Sequence, residues 1–225
     1  MLRSVERADH GGVLRLLAKR NMDIGSHRTR VVCRLHALLV ELAPGGIAKK
    51  MNVSDAEAFM ARLCPETPVQ QMRFDLALEL LDDVRRLDAQ LKESHRRIRV
   101  AIRASGTSLT ELYGVGPIHA ATLIGYSGDV TRFANRDAYA SYNGTAPIEW
   151  SSGGRVVHRV SRRGNRKLNH AIHMAAITQL RNPDTPGRIY FERKVAEGKT
   201  KKEALRSLKP HVSNAVYRQL LLDAQ

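Results

Sequence analysis

Two serines stand before two glycines at Ser151-Ser152-Gly153-Gly154, directly after Trp150, the one tryptophan of the chain. Arg155, His158, Arg159, Arg162, Arg163, Arg166 and Lys167 follow closely. These residue types suit attack on a phosphodiester. A serine hydroxyl is a weak nucleophile at neutral pH, so it needs positive charge around the developing phosphorane and a proton acceptor. The arginines and Lys167 supply the charge. Glycines beside the hydroxyl admit a bulky phosphate, and a helix opened by Gly164-Asn165 adds an anion-attracting N-terminus. On residue types alone, the competing description is a flexible Ser/Gly loop beside a solvated basic face.

A second segment, Leu112-Tyr113-Gly114-Val115-Gly116-Pro117-Ile118-His119-Ala120-Ala121, has the form of a helix-hairpin-helix. Gly114 and Gly116 would let backbone N–H groups approach a phosphate, and Pro117 begins a helix whose positive end favours anions. No lysine follows as in a Walker loop, and no third glycine completes a dinucleotide fingerprint. The plain alternative is a tight turn between packed helices. His170 and His173 share a helix face, but without carboxylate or cysteine partners they do not read as a zinc site. Carboxylates are too sparse in this half for a self-contained two-metal nuclease centre.

The elements that must carry these segments follow from periodicity. Asn21, Ile24, Arg28, Val31, Leu35, Leu38 and Leu42 step by four and three, a heptad seam on a helix ended by Pro44-Gly45-Gly46. Ser54-Asp55-Ala56-Glu57 reads as a capping box opening a short helix with Phe59, Met60 and Leu63 on its apolar face. Met72, Leu76, Leu80, Val84, Leu87, Leu91, Ser94, Ile98 and Ala101 continue a second seam. Together they predict an antiparallel coiled-coil hairpin over residues 1–108, with polar Asn21, Arg28 and Ser94 at core-type positions.

From Leu109 the chain turns to short, glycine-punctuated segments, so residues 109–225 form a second, compact helical domain. Its expected parts are a helix pair over 109–126, a helix near 137–142, and a short hairpin or loop over 144–160. Helices opened by Asn165, Thr185 and Lys201 follow, with Gly198 as a cap and Pro210 bending or interrupting the last. The fold class is therefore mainly α.

The net charge is +15, and residues 151–225 hold 16 basic against 5 acidic side chains. So lopsided a balance points to a polyanion meeting the last third, nucleic acid before anionic membrane. No apolar run approaches the ~18 residues of a membrane span. The start carries no secretory pattern, and Cys33 and Cys64 have no metal or disulfide spacing, which fits a cytoplasmic, nucleoid-associated protein.

In order along the chain, Leu112–Pro117, Asp129-x-x-Arg132-Phe133, Ala140-Ser141-Tyr142-x-Gly144-x-x-Pro147, Ser152-Gly153 and Ser161-Arg162-Arg163-Gly164-Asn165 resemble the C-terminal transposase domain of the IS-one-ten insertion-sequence transposases. That family comprises bridge-RNA-guided DNA recombinases. The similarity extends over about residues 110–222, through Gly198-Lys199-x-x-Lys202-x-Ala204. Residues 10–105 resemble the family's coiled-coil linker.

The resemblance implies a covalent link between DNA and the serine that directly precedes glycine, which is Ser152 and not Ser151. It also implies a guide RNA, and an RNase-H-like domain with four acidic magnesium ligands ahead of the coiled coil. No Asp or Glu of this chain matches those ligands. Magnesium is expected only with that domain, and none of the present residues is assigned to a metal.

The expected function is DNA transposition, with Ser152 as nucleophile. Arg155, Arg159, Arg162, Arg163, Asn165 and Lys167 would hold the phosphate, and Gly114, Gly116 and Pro117 would bind duplex backbone. Partners are DNA, guide RNA and a second copy through the coiled coil. Without the acidic domain the chain is not expected to act alone; a truncated element copy, a separately encoded half or a late gene start would explain its form. The alternative is a non-catalytic DNA- or RNA-binding dimer, either an inactive truncated transposase or an inhibitor of a full-length one; a structural helical protein with incidental basicity is the third description.

Overall fold

The computed structural model describes residues 10–43, 45–48, 51–152, 155–160 and 164–225, with only the backbone described for 148–152 and 155–160. Eight α-helices and one strand pair lie among the described residues: α1 (His10–Leu42), α2 (Val53–Met60), α3 (Pro68–Ala104), α4 (Pro117–Ser127), α5 (Arg136–Asn143), β1 (Pro147–Ser152), β2 (Arg155–Val160), α6 (Arg166–Gln179), α7 (Pro186–Ala196) and α8 (Lys201–Asp223). The mainly α expectation holds. By packing the chain forms two compact units: Lys19–Arg97, and Ile98–Gln225 together with the α1 residues up to Ala18.

In the Lys19–Arg97 unit, α1 and α3 run antiparallel. Arg20 donates to Gln90 and Arg28 pairs with Asp88, while Arg73 of α3 reaches back to Glu41 near the end of α1. The seam on α1 is the expected one at Ile24, Val31 and Leu35. On α3 the expectation needs correction at its start. Met72 and Leu76 are exposed, and Ala77 and Leu81 are buried in their place, against Ala56 and Met60 of α2. A third helix on the pair widens and turns the buried face, which a strict 3.5-residue repeat does not anticipate. Arg28, polar in the seam, finds Asp88 across it. Asn21 Oδ1 and Ser94 Oγ are buried without a protein partner. The cap of α2 is Asn52 with Asp55, two residues before the expected box: Asn52 Oδ1 accepts from Asp55 N and Asp55 Oδ2 from Asn52 N, each at 2.9 Å.

The second unit is built on Tyr139, Leu109, Leu123, Leu168, Ile172, Leu208 and Val216, all fully buried, with Leu14, Ala18, Ile98 and Ile102 joining from α1 and α3. Tyr139 is its aromatic hub. It meets Phe133 edge-on at 5.2 Å, stacks on Tyr217 at 5.4 Å and bonds Ser127 through its hydroxyl. Burial pushes that phenol up to about 12.

Two local expectations are replaced. Residues 109–111 form a single 3-10 turn and not the first helix of a pair, because extended Leu112 and left-handed Gly114 (φ +93°) break the path before α4. Pro210 lies inside α8, which continues unbroken from Lys201 to Asp223. Gly198 (φ +91°) follows the last turn of α7, as a C-terminal glycine should.

Candidate nucleic-acid interface

The strand pair is antiparallel, with Pro147 opposite Val160 and Ser152 opposite Arg155. Because alternate ladder positions share a face, Ser152 belongs with positions 155, 157 and 159, and Ser151 with 156 and 158. The register thus sets Ser152, Arg155 and Arg159 on one face of the ladder. Gly153 and Gly154 of the connection, and Arg162 and Arg163 beyond β2, lie outside the described residues.

A buried polar knot holds the root of the pair. Asn143, wholly buried, donates to Ser213 Oγ (2.8 Å) and accepts from Thr145 N (3.1 Å) and Oγ1 (2.7 Å). Asn169 of α6 donates to the carbonyls of Asn143 (3.1 Å) and Gly144 (2.8 Å), and takes in turn a 2.5 Å bond from Lys209 Nζ. Burial, then the charge of Arg206, lowers the Lys209 ammonium from its ordinary range. Gly144 caps α5 in the left-handed region (φ +72°), and Gly164 passes so near it that a Cβ there would strike the Gly144 backbone. Asn165 N donates to Tyr142 O at 2.8 Å, closing the root.

Asn165 is the N-cap of α6, as its residue type predicts, accepting from Lys167 N and Leu168 N. Lys167 follows it and turns onto Tyr126, donating to its hydroxyl at 2.7 Å and standing 4.6 Å from the ring centre. Arg15 of α1 lies over the same ring at 5.3 Å. Beside it, Arg132 sits between Phe133 (4.4 Å) and Tyr142 (4.6 Å) and donates to Ser127 O. The Tyr142 hydroxyl donates to Tyr126 O at 3.3 Å. Burial raises the Tyr142 phenol, but Arg132, Asn165 and Arg15 more than offset it and hold it below the ordinary range.

The glycines of the second motif divide their roles. A Cβ on Gly114 would stand 2.6 Å from Ala175 O, so that glycine serves close packing on α6. Gly116 faces open space and caps α4 without a side-chain bond, with Pro117 at the first helical position. Ala175 is about 12 Å along α6 from Lys167, so this turn and the hairpin root lie on opposite ends of one helix. His119 titrates below its ordinary range through burial and then the charge of His170; His173 does so through burial, then Lys209 and His170. Among the described residues, no cluster of three or more His, Cys, Asp or Glu could hold a metal ion.

Charge pairing differs between the units. In Lys19–Arg97, Arg28, Arg73, Arg85, Arg86 and Arg96 all meet carboxylates. In the last third, the ion pairs among the described residues engage only Arg188, Arg193 and Lys194. Sequence reasoning named Asn165 and Lys167 but assigned no role to Arg132 or Tyr142, although both lie in the quoted motifs. It had no signal for Arg15, which arrives from the far end of the chain.

No helix among the described residues is long and apolar enough to cross a membrane. The 44.8 kDa protein of insertion element IS116 from Streptomyces clavuligerus is 26% identical over 87% of this chain and 60% of its own length. The 43.6 kDa protein of insertion element IS110 from Streptomyces coelicolor is 40% identical over 43% of this chain and 24% of its own. The 42 kDa protein of insertion element IS900 from Mycobacterium paratuberculosis is 28% identical over 68% of this chain and 39% of its own. The chain thus spans at most 60% of the length of these relatives. Residues 106–190, which carry the strand pair and the Gly114 turn, match the model of the transposase IS116/IS110/IS902 family.

Proposed function

We propose that this chain is the DNA-handling part of a transposase in which Ser152 becomes covalently joined to DNA. The Ser152 hydroxyl attacks a phosphodiester: an Oγ–P bond forms as one bridging P–O bond to deoxyribose breaks, and the serine proton passes through solvent to the departing sugar oxygen. Arg155, Arg159, Arg162, Arg163 and Lys167 neutralise the phosphorane. Asn165 presents the start of α6 to the phosphate, while Gly116 and Pro117, at the start of α4, hold duplex backbone beside the later turns of α6. The observation that carries this reading is the register of a serine opposite Arg155, on a strand pair rooted beside Lys167 within the family span.

Among the described residues no group of His, Cys, Asp or Glu fits magnesium, and no step here is routed through a metal; an RNase-H-like acidic domain would supply it. A guide RNA would choose the target, as in the resembling family. A second copy would dock through the exposed stripe Val69, Met72 and Leu76 on α3, where apolar residues at i, i+3 and i+7 lie outside the core.

The test is a denaturation-resistant protein–DNA adduct on end-labelled element-junction DNA, with and without the acidic domain and cognate RNA. An adduct lost in Ser152→Ala is expected. Tight, salt-sensitive binding without any adduct would replace this reading with that of a non-catalytic nucleic-acid-binding protein.

A further inference from the structure

Arg15, Arg132 and Lys167 converge on two joined tyrosines, and none of the three forms an ion pair with a carboxylate among the described residues. Lys167 and Arg15 attend one ring, Arg132 the other, and the Tyr142 hydroxyl donates to the main-chain carbonyl of Tyr126, which fixes the second ring beside the residue that bears the first. Like charges do not gather at a surface without cost. Three cations held together by ring faces and hydroxyls need an external anion to offset their mutual repulsion.

The arrangement is also built at some expense. Gly125 lets α1 approach α4 so closely that a Cβ there would lie 2.6 Å from Arg15 N and Cα. This contact is what delivers Arg15, more than a hundred residues upstream, to the ring of Tyr126. The platform borders the hairpin root, since Asn165 both caps α6 and bonds Tyr142 O.

We propose that Arg15, Arg132 and Lys167, mounted on Tyr126 and Tyr142, form a seat for one backbone phosphate of duplex DNA, next to the phosphate engaged by the hairpin. The assignment to DNA rests on reading that hairpin as the DNA-joining element. Arg15, Arg132 and the two tyrosines thereby join Lys167 as DNA contacts. Arginine forks the phosphate oxygens, and Lys167 adds a point charge oriented by its bond to Tyr126.

The test is the salt dependence of duplex binding by the full chain. Neutralising one phosphate contributes about 0.9 to the slope of log affinity against log salt. Arg15→Gln with Lys167→Gln should flatten the slope by about that amount, so that its binding deficit shrinks about 3.5-fold between 50 and 200 mM salt. Arg15→Gln alone, at an exposed side chain, should move it the same way by less, and Arg15→Lys should restore it.

The control is Arg206→Gln with Arg218→Gln, which removes equal charge elsewhere on α8. A slope that moves equally in the control, or that stays unchanged while only the melting temperature falls, overturns the seat and leaves these contacts structural. An effect seen on RNA of the same length and not on duplex DNA overturns the assignment to DNA. Absence of salt-sensitive duplex binding by the unmodified chain instead refutes the proposed function itself.

Discussion

Replacing Gly125 by alanine sets helix propensity against packing. In the interior of α4, alanine is intrinsically favoured over glycine by about 1 kcal/mol. The new Cβ, however, would lie 2.6 Å from Arg15 N and Cα and 2.8 Å from Arg15 Cβ, about an ångström inside ordinary contact. The opposing atoms are main chain or fixed to it, so no side-chain rotation relieves the overlap and the two helices must part. Overpacking of this kind costs about 1–3 kcal/mol, and parting the helices also loosens Leu14 and Ala18 in the core. We expect a net loss of about 1–2 kcal/mol, read as a melting temperature lower by roughly 2–8 °C. Gly116→Ala, with nothing within 4 Å of its Cβ, should lose only the N-cap preference of glycine over alanine, about 0.5 kcal/mol. A melting temperature that rose in Gly125→Ala would show that propensity governs the site and would refute the close crossing of α1 and α4.

Three further outcomes are expected. Asn143→Ala strips Thr145 N–H and Ser213 Oγ of their buried partner and should cost about 2–4 kcal/mol in denaturant unfolding, whereas a loss under 1 kcal/mol would mean the knot at the hairpin root is not formed. His119, His173 and His211 all titrate below 6.5, chiefly through burial, so the unfolded chain binds their protons more readily. Stability should therefore fall as pH drops from 6.5 through their folded-state values and level off below them; His119→Gln should flatten part of that slope below pH 6.5, and an unchanged slope counts against its burial. Met72→Glu with Leu76→Glu should leave the melting temperature within about 1 kcal/mol equivalent, as both side chains are exposed, while converting an oligomer to monomer by light scattering; a folded oligomer that persists removes the stripe from the interface.

The helices were legible where pattern and cap agreed. Asn165 is a side-chain acceptor at the head of an apolar repeat, and α6 starts there. The α1 seam is legible for the same reason, its buried positions recurring at the helical period. The start of α3 was not, because the face it buries is decided by α2, a partner that heptad spacing does not contain. The choice between Ser54 and Asn52 as cap turned on which side chain meets the free N–H groups, and the two motifs overlap in sequence.

At the site, spacing brought out the cations after Ser152 but not Arg15. Its contact with Tyr126 depends on a helix crossing licensed by Gly125, and a glycine inside a helix announces a close approach without naming its partner. Gly114 read as an opening for phosphate; the space beside it is taken by Ala175. The residue type told that backbone must come near something, and only packing told what.

The membership of Leu14, Ala18, Ile98 and Ile102 in the second core bears on how this polypeptide can be made and dissected. The segment matching the family begins at residue 106, yet the globule it belongs to is discontinuous, interrupted by the excursion from Lys19 to Arg97. Expressing residues 106–225 alone would leave those four side chains' places in the core unfilled, at about 2–5 kcal/mol for each of the three leucine- and isoleucine-sized ones. On the ribosome the first turns of α1 emerge long before their partners in α4, and must wait, exposed, until the excursion has folded back. Closing so long a loop costs little more than closing one half its length. A shorter excursion with antiparallel helices would close the globule's chain equally well, so nothing in the globule itself fixes the length of the segment from Lys19 to Arg97.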